Sequence, residues 1–185
     1  MSYGTRTDRY PPVSKLLHWL VAASVLTTAP VAVAMVRVGQ GPVQDALYNF
    51  HKSLGVLILI LMVLRLINRL AVGAPAPDPG LEPWQRMVSS VVHTSLYVLL
   101  LAMPVVGYLA NSVYGASTPF FGLFNLPPIA AQDEALAKQL FTIHRWAGFL
   151  VIALVLMHIG AALYHHVLRR DDVLKRMLPR AWGGL

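Results

Sequence analysis

Apolar residues in this chain fall into four long blocks, roughly residues 15–36, 50–71, 87–111 and 146–168, and the segments between them carry most of the charge. A helix needs about 20 mostly apolar residues to cross the hydrocarbon of a bilayer, and each block meets that length. A spanning segment must also satisfy its own backbone, which a helix does and an open strand does not. The short alternating segments of an outer-membrane barrel are missing from the pattern. The chain therefore reads as all-α: an integral membrane four-helix bundle forming a single domain over residues 1–185. Pro11 and Pro12 close a polar head, and Pro30 and Pro104 are candidate kinks within helices one and three. Residues 38–48 form a short connection, and the Pro- and Gly-rich run 73–80 forms a turn-rich linker. Glu82, Trp84 and Arg86 mark an interfacial start to helix three. Residues 112–142 form the longest connection, with a stretch at 131–140 that suits a surface helix.

Composition supports the membrane reading. The 185 residues are 56% hydrophobic and 12% charged, against about 25% charged in a soluble domain. There is no cysteine, which excludes disulfides, iron–sulfur clusters, zinc-thiolate sites and covalently attached c-type haem. The apolar run starting near Val13 continues for a full span, so it predicts a first helix rather than a cleaved signal. The net charge of +7 does not point to nucleic acid, because the basic residues flank the apolar blocks. If the helices alternate in direction, Arg37, Lys52, Lys138 and Arg145 lie on one side. The other eleven, among them Arg6, Arg9, Lys15, Arg65, Arg69 and the basic residues from Arg169 to Arg180, lie on the opposite side. The positive-inside rule then puts both termini in the cytoplasm.

Seven histidines, His18, His51, His93, His144, His158, His165 and His166, lie in or at the edges of the blocks. One intramembrane histidine is readily explained as an interhelical hydrogen bond. Seven point to a shared function, and paired imidazoles without thiols suit haem iron. Depth suggests the pairing. His51 opens helix two and His144 opens helix four, both at the outside face, and each is followed four residues later by a glycine, Gly55 and Gly148. Residues four apart share a helix face, so a flat macrocycle could lie against the backbone there. His158 follows His144 by fourteen residues, close to four turns on the same face and roughly 21 Å deeper. Its partner comes from a helix with a histidine near the cytoplasmic side. His18 and His93 both qualify by spacing, and depth favours His18. The small residues Gly160, Ala161 and Ala162 leave room near His158. His165 lies two turns beyond His158 on the same face, whereas His166 reads as an interfacial polar residue.

Six motifs occur together: Lys15-Leu-Leu-His-Trp19, Phe50-His-Lys-Ser-Leu-Gly55, Leu61-Met-Val-Leu-Arg65, His144-Arg-Trp-Ala-Gly148, Leu156-Met-His158 and Tyr164-His-His166. On these motifs the chain resembles the bacterial cytochrome b561 family of four-helix di-haem quinone oxidoreductases, whose best understood members resemble superoxide oxidase. The likeness runs from about residue 9 to about residue 178. It implies two haems b, with iron held by His18 and His158 in one and by His51 and His144 in the other. It also implies a multi-pass location in the bacterial inner membrane.

The expected function is an oxidoreductase in the lipid bilayer. A one-electron donor outside, by resemblance superoxide oxidised to oxygen, delivers electrons through the outer and then the inner haem to ubiquinone at the cytoplasmic side. Lys52 and Arg145 adjoin the outer ligands, where they could attract a small anion or bind haem propionates. His93, His165 and Lys15 are candidate quinone or propionate contacts near the inner haem. No residue is assigned a catalytic role. The competing readings are a haem b anchor or relay subunit for a partner dehydrogenase, and a histidine-lined metal transporter. The last lacks intramembrane acidic residues, since every Asp and Glu is placed in a connection or tail.

Overall fold

The computed structural model describes residues 9–78 and 80–178. Arg6, Arg180 and Pro79, which enter the charge distribution and linker above, lie outside the described residues. Four long helices, α1 (Pro12–Met35), α2 (Pro42–Val72), α3 (Pro83–Tyr114) and α4 (Glu134–Leu163), account for most of the chain, and α4 runs on into a π-helical turn, Tyr164–Arg169. All four are long and apolar enough to cross a membrane.

The helices outrun the apolar blocks inside them. At 31 and 32 residues, α2 and α3 each extend for more than 45 Å at about 1.5 Å per residue, whereas hydrocarbon is about 30 Å thick. Hydropathy marks the part of a helix that meets lipid, while backbone hydrogen bonding continues into the interface. Helix four shows this most clearly. It begins at Glu134, not near residue 146, because the Asp133 carboxylate caps it by accepting from the Leu136 N–H at 2.9 Å. The polar Lys138, Gln139 and Thr142 ride on the projecting turns. The stretch expected as a separate surface helix is therefore mostly the start of α4. His51 and His144 do not open their helices but lie two to three turns inside them. Asp45 and Glu134 likewise stand in the first turns of α2 and α4 rather than in connections.

The α3–α4 connection adds to the all-α plan a two-stranded antiparallel hairpin, β1 (Thr118–Phe120) and β2 (Phe124–Leu126). Its turn uses positive φ at Phe121 (48°) and Gly122 (74°). Gly122 takes that region freely, while Phe121 is held there: its N–H donates to Ser53 Oγ of α2 at 2.9 Å, and its ring stands edge-on to Phe50.

Packing is uneven around the bundle. α1 lies along α2, α3 lies along α4, and α2 against α3 joins the two pairs. Val21, Val25, Ile58, Leu61 and Met62 form the α1–α2 core, with Tyr97, Leu100 and Val155 packed against it. Neither α1 nor α2 runs closely along α4. At the end remote from the hairpin, the segment after α4 folds back over the bundle. Lys15 Nζ donates to the Leu178 carbonyl (2.8 Å), Trp19 Nε1 to Met177 (3.1 Å) and the Tyr10 N–H to Arg176 (3.3 Å). Arg169 adds bonds to the Gly80 carbonyl and Gln85. Both ends of the described chain thus meet at one end of the bundle.

Candidate functional site

The histidines assemble in two layers. Near the hairpin, the rings of His51 (α2) and His144 (α4) face one another with centroids 6.1 Å apart and planes at 83°. In the layer toward the termini, His18 (α1) and His158 (α4) have the same 6.1 Å spacing at 74°. His93 (α3) lies closer to His158, at 5.2 Å, with Ser89 Oγ 3.3 Å from its Nδ1. An ion held axially between two imidazoles, at about 2 Å from each nitrogen, spaces the centroids roughly 6 Å apart. Both 6.1 Å pairs meet that requirement, and the 5.2 Å contact is tighter than it.

Three further observations fit a flat group between opposed imidazoles. First, the Nδ1 atoms of His51 and His144 are buried with no hydrogen-bond partner in good geometry, although a backbone carbonyl lies beside each ring, Thr28 for His51 and Met103 for His144. Second, a Cβ built at Gly55 or Gly160 meets nothing within 4 Å, and at Gly148 it meets only the Met103 methyl at 3.7 Å. Third, the facing histidines stand across the side of the bundle where α4 is not packed on α1 or α2. Among the described residues, no group of three or more His, Asp or Glu side chains converges to hold a bare metal ion.

Gly107 was not singled out from the sequence. A Cβ there would come within 2.8 Å of Cε1 and 3.1 Å of Nδ1 of His144. This glycine is what lets the His144 ring lie against α3. A visible signal was present: a lone glycine inside a helix often marks close approach, and Gly107 follows His93 by fourteen residues.

Other expected contacts are placed differently. Lys52 donates to the Ser117 carbonyl at 2.8 Å, tying α2 to the hairpin. The buried Ser53 hydroxyl continues that latch, lying 2.8 Å from the Asn49 carbonyl and 3.0 Å from Pro119 while accepting from Phe121. Arg145 is exposed beside His144. Lys15 is buried and donates to Leu178, so its first role is to hold the returning tail. His165 is also buried, and its Nδ1 is 2.6 Å from an Asp171 oxygen that Arg169 approaches at 3.7 Å. The π-helical turn carries His165, as such turns often do at functional sites. His166 is exposed.

Comparison with known proteins decides the family. Residues 9–180 match the family described as prokaryotic cytochrome b561. The chain belongs to that family. It is 33% identical over 185 residues to cytochrome b561 homolog 2 of Escherichia coli strain K12, covering 98% of this chain and 97% of that one. Identity to cytochrome b561 homolog 1 of the same strain is 32% over 180 residues, covering 94% and 98%. A Yersinia pestis protein named probable superoxide oxidase CybB is 29% identical over 167 residues, covering 90% and 94%. Membership makes this b561-family chain a membrane electron-transfer protein and an oxidoreductase, and haem b is the cofactor that the family implies. Together with four helices fit to cross a bilayer, it describes a multi-pass bacterial membrane protein.

Proposed function

We propose that this b561-family chain holds two haems b and passes electrons from a one-electron donor at its hairpin face to ubiquinone near its terminal face. The observation that carries this reading is the pair of histidine couples, each 6.1 Å apart, stacked along α4. His51 and His144 would hold the outer haem, and His18 and His158 the inner. When bound, each haem supplies a one-electron iron couple. Helix α4 contributes one ligand to each site and so sets their separation at roughly 21 Å along its axis. In the outer pair, the buried Nδ1 atoms would donate to the Thr28 and Met103 carbonyls, which orients each ring and leaves Nε2 for iron.

The distribution of basic residues supports a hairpin face outside and both termini in the cytoplasm, in the inner membrane. On the outside face, Lys52 holds the hairpin through the Ser117 carbonyl, and exposed Arg145 stands beside His144. Together they would draw a small anion toward the outer layer. Superoxide suits that field. Two superoxide ions would each lose one electron to give two oxygen molecules, and one quinone with two protons would become a quinol. At the terminal face, His165 lies against Asp171 at 2.6 Å, and His93, beside His158, would hydrogen-bond a quinone carbonyl.

A pyridine haemochrome assay should return about two haems b per chain, all released by acid–acetone. A value near one, or haem that resists extraction, would reject the di-haem reading. Stopped-flow mixing with superoxide should then show rapid haem reduction, followed by quinone turnover by the protein alone. If both haems are present but superoxide reduces neither, the chain is better read as an anchor or relay for a partner dehydrogenase.

A further inference from the structure

Arg65 repeats on α2 the spacing that relates the two histidines of α4. It follows His51 by fourteen residues, as His158 follows His144. That puts it on the face of α2 that carries His51, roughly 21 Å further along, in the layer of His18, His93 and His158. Its surroundings agree. The guanidinium stands 5.6 Å from the centroid of the Tyr97 ring on α3, and Nη1 donates to the Ser14 carbonyl on α1 at 3.2 Å. Ser14 is itself buried and held from α2, accepting from Asn68 Nδ2 at 2.7 Å. An arginine that serves only topology extends toward headgroups. This one is turned into the bundle and braced by two other helices.

Among the described residues, no acidic side chain forms an ion pair with it. The ion pairs among the described residues join Asp171 and Asp172 to His165, Arg169 and Lys175, and none involves Arg65. A guanidinium offers five N–H donors, one of which is committed to Ser14. A preorganised cation inside an apolar span is costly unless an anion answers it.

We propose that Arg65 is the anion receptor of the inner layer, taking a propionate carboxylate of the haem held by His18 and His158. The proposal rests on the di-haem reading. Arg65 then has a second effect: its fixed positive charge, little screened in the bundle interior, favours the reduced state at the inner site and biases electrons inward from the outer one.

The test uses the full chain in lipid nanodiscs, with Arg65→Gln and Arg65→Lys. Haem is counted first in the unsubstituted protein; a count of one there defeats the di-haem reading before any variant is considered. Spectroelectrochemical titration should then show that Arg65→Gln lowers one of the two midpoint potentials by at least tenfold in the reduced-to-oxidised ratio, about 59 mV for one electron. Arg65→Lys should recover more than half of that shift. In a His144→Ala background, the single remaining couple should move by the same amount. With haem labelled by carbon-13 at the propionates, the redox-difference infrared spectrum should show the labelled carboxylate band displaced in Arg65→Gln. Unchanged potentials with both haems bound would overturn the proposal, as would a shifted potential with an unmoved carboxylate band. Loss of the inner haem in Arg65→Gln but not in Arg65→Lys supports the receptor role. Loss in both overturns it, because the residue would then be needed only to build the fold.

Discussion

Replacing His144 by alanine is expected to halve the haem content, from about two per chain to about one, and to abolish rapid reduction by an outside donor. His158→Ala should also leave one haem, but the one that remains should still be reduced from outside, while quinone reduction fails. The two variants separate because α4 supplies one ligand to each proposed site and the other ligands come from different helices, His51 on α2 and His18 on α1. Removing one imidazole leaves its partner half-buried at the edge of a gap that the helices do not close by themselves. The far layer keeps both of its facing histidines. Haem counts on purified variants, followed by stopped-flow reduction, check this directly. If His158→Ala keeps two haems while His93→Ala loses one, the inner pair is His93 with another partner, and the 6.1 Å spacing of His18 and His158 is incidental.

A second large effect is expected at a residue that touches no cofactor in this scheme. Gly107→Ala should weaken outer haem binding at least tenfold, about 1.4 kcal/mol, and Gly107→Leu should abolish it, with the inner haem retained in both. An alanine in the middle of a helix is normally favourable by about 1 kcal/mol relative to glycine, so α3 itself should not be weakened. The cost falls on the His144 ring, which a methyl at 2.8 Å would push out of place. Gly39→Ala is the control, since a Cβ there meets nothing within 4 Å. Resolving the two haems by redox titration makes the effect specific. An unchanged outer midpoint and full haem content in Gly107→Ala would show that the ring seats elsewhere.

These residues differ in how far the sequence revealed them. The four helices were legible because lipid imposes one condition on every spanning segment, and length with apolarity reports it. The opposed histidines were legible because imidazoles in such segments have few other uses and because fourteen residues nearly complete four turns. Helix starts were not. Asp133 ends a connection by capping α4, and nothing in the hydropathy of residues 134–145 reveals that. The hairpin was hidden for a different reason: Phe121 takes a left-handed conformation because Ser53, 68 residues away, accepts its N–H. Lys15 and Lys52 read from sequence as contacts for a quinone, a small anion or haem propionates, yet each donates to a backbone carbonyl far along the chain, and a carbonyl leaves no trace in residue identity. Gly107 and Arg65 repeat the fourteen-residue interval on α3 and α2, a signal that becomes visible only once the layers are known.

The interval on α4 also constrains which changes the chain can tolerate. Inserting or deleting one residue between His144 and His158 would swing the second imidazole by about 100° and move it about 1.5 Å along the axis, turning it from the bundle toward lipid. Exchanging one apolar side chain for another in the same stretch leaves both angles intact. The segment between the two histidines therefore works as a ruler, permissive in composition and strict in length. Variation within it should be confined to substitutions, with gains and losses of residues displaced to the hairpin and the connections.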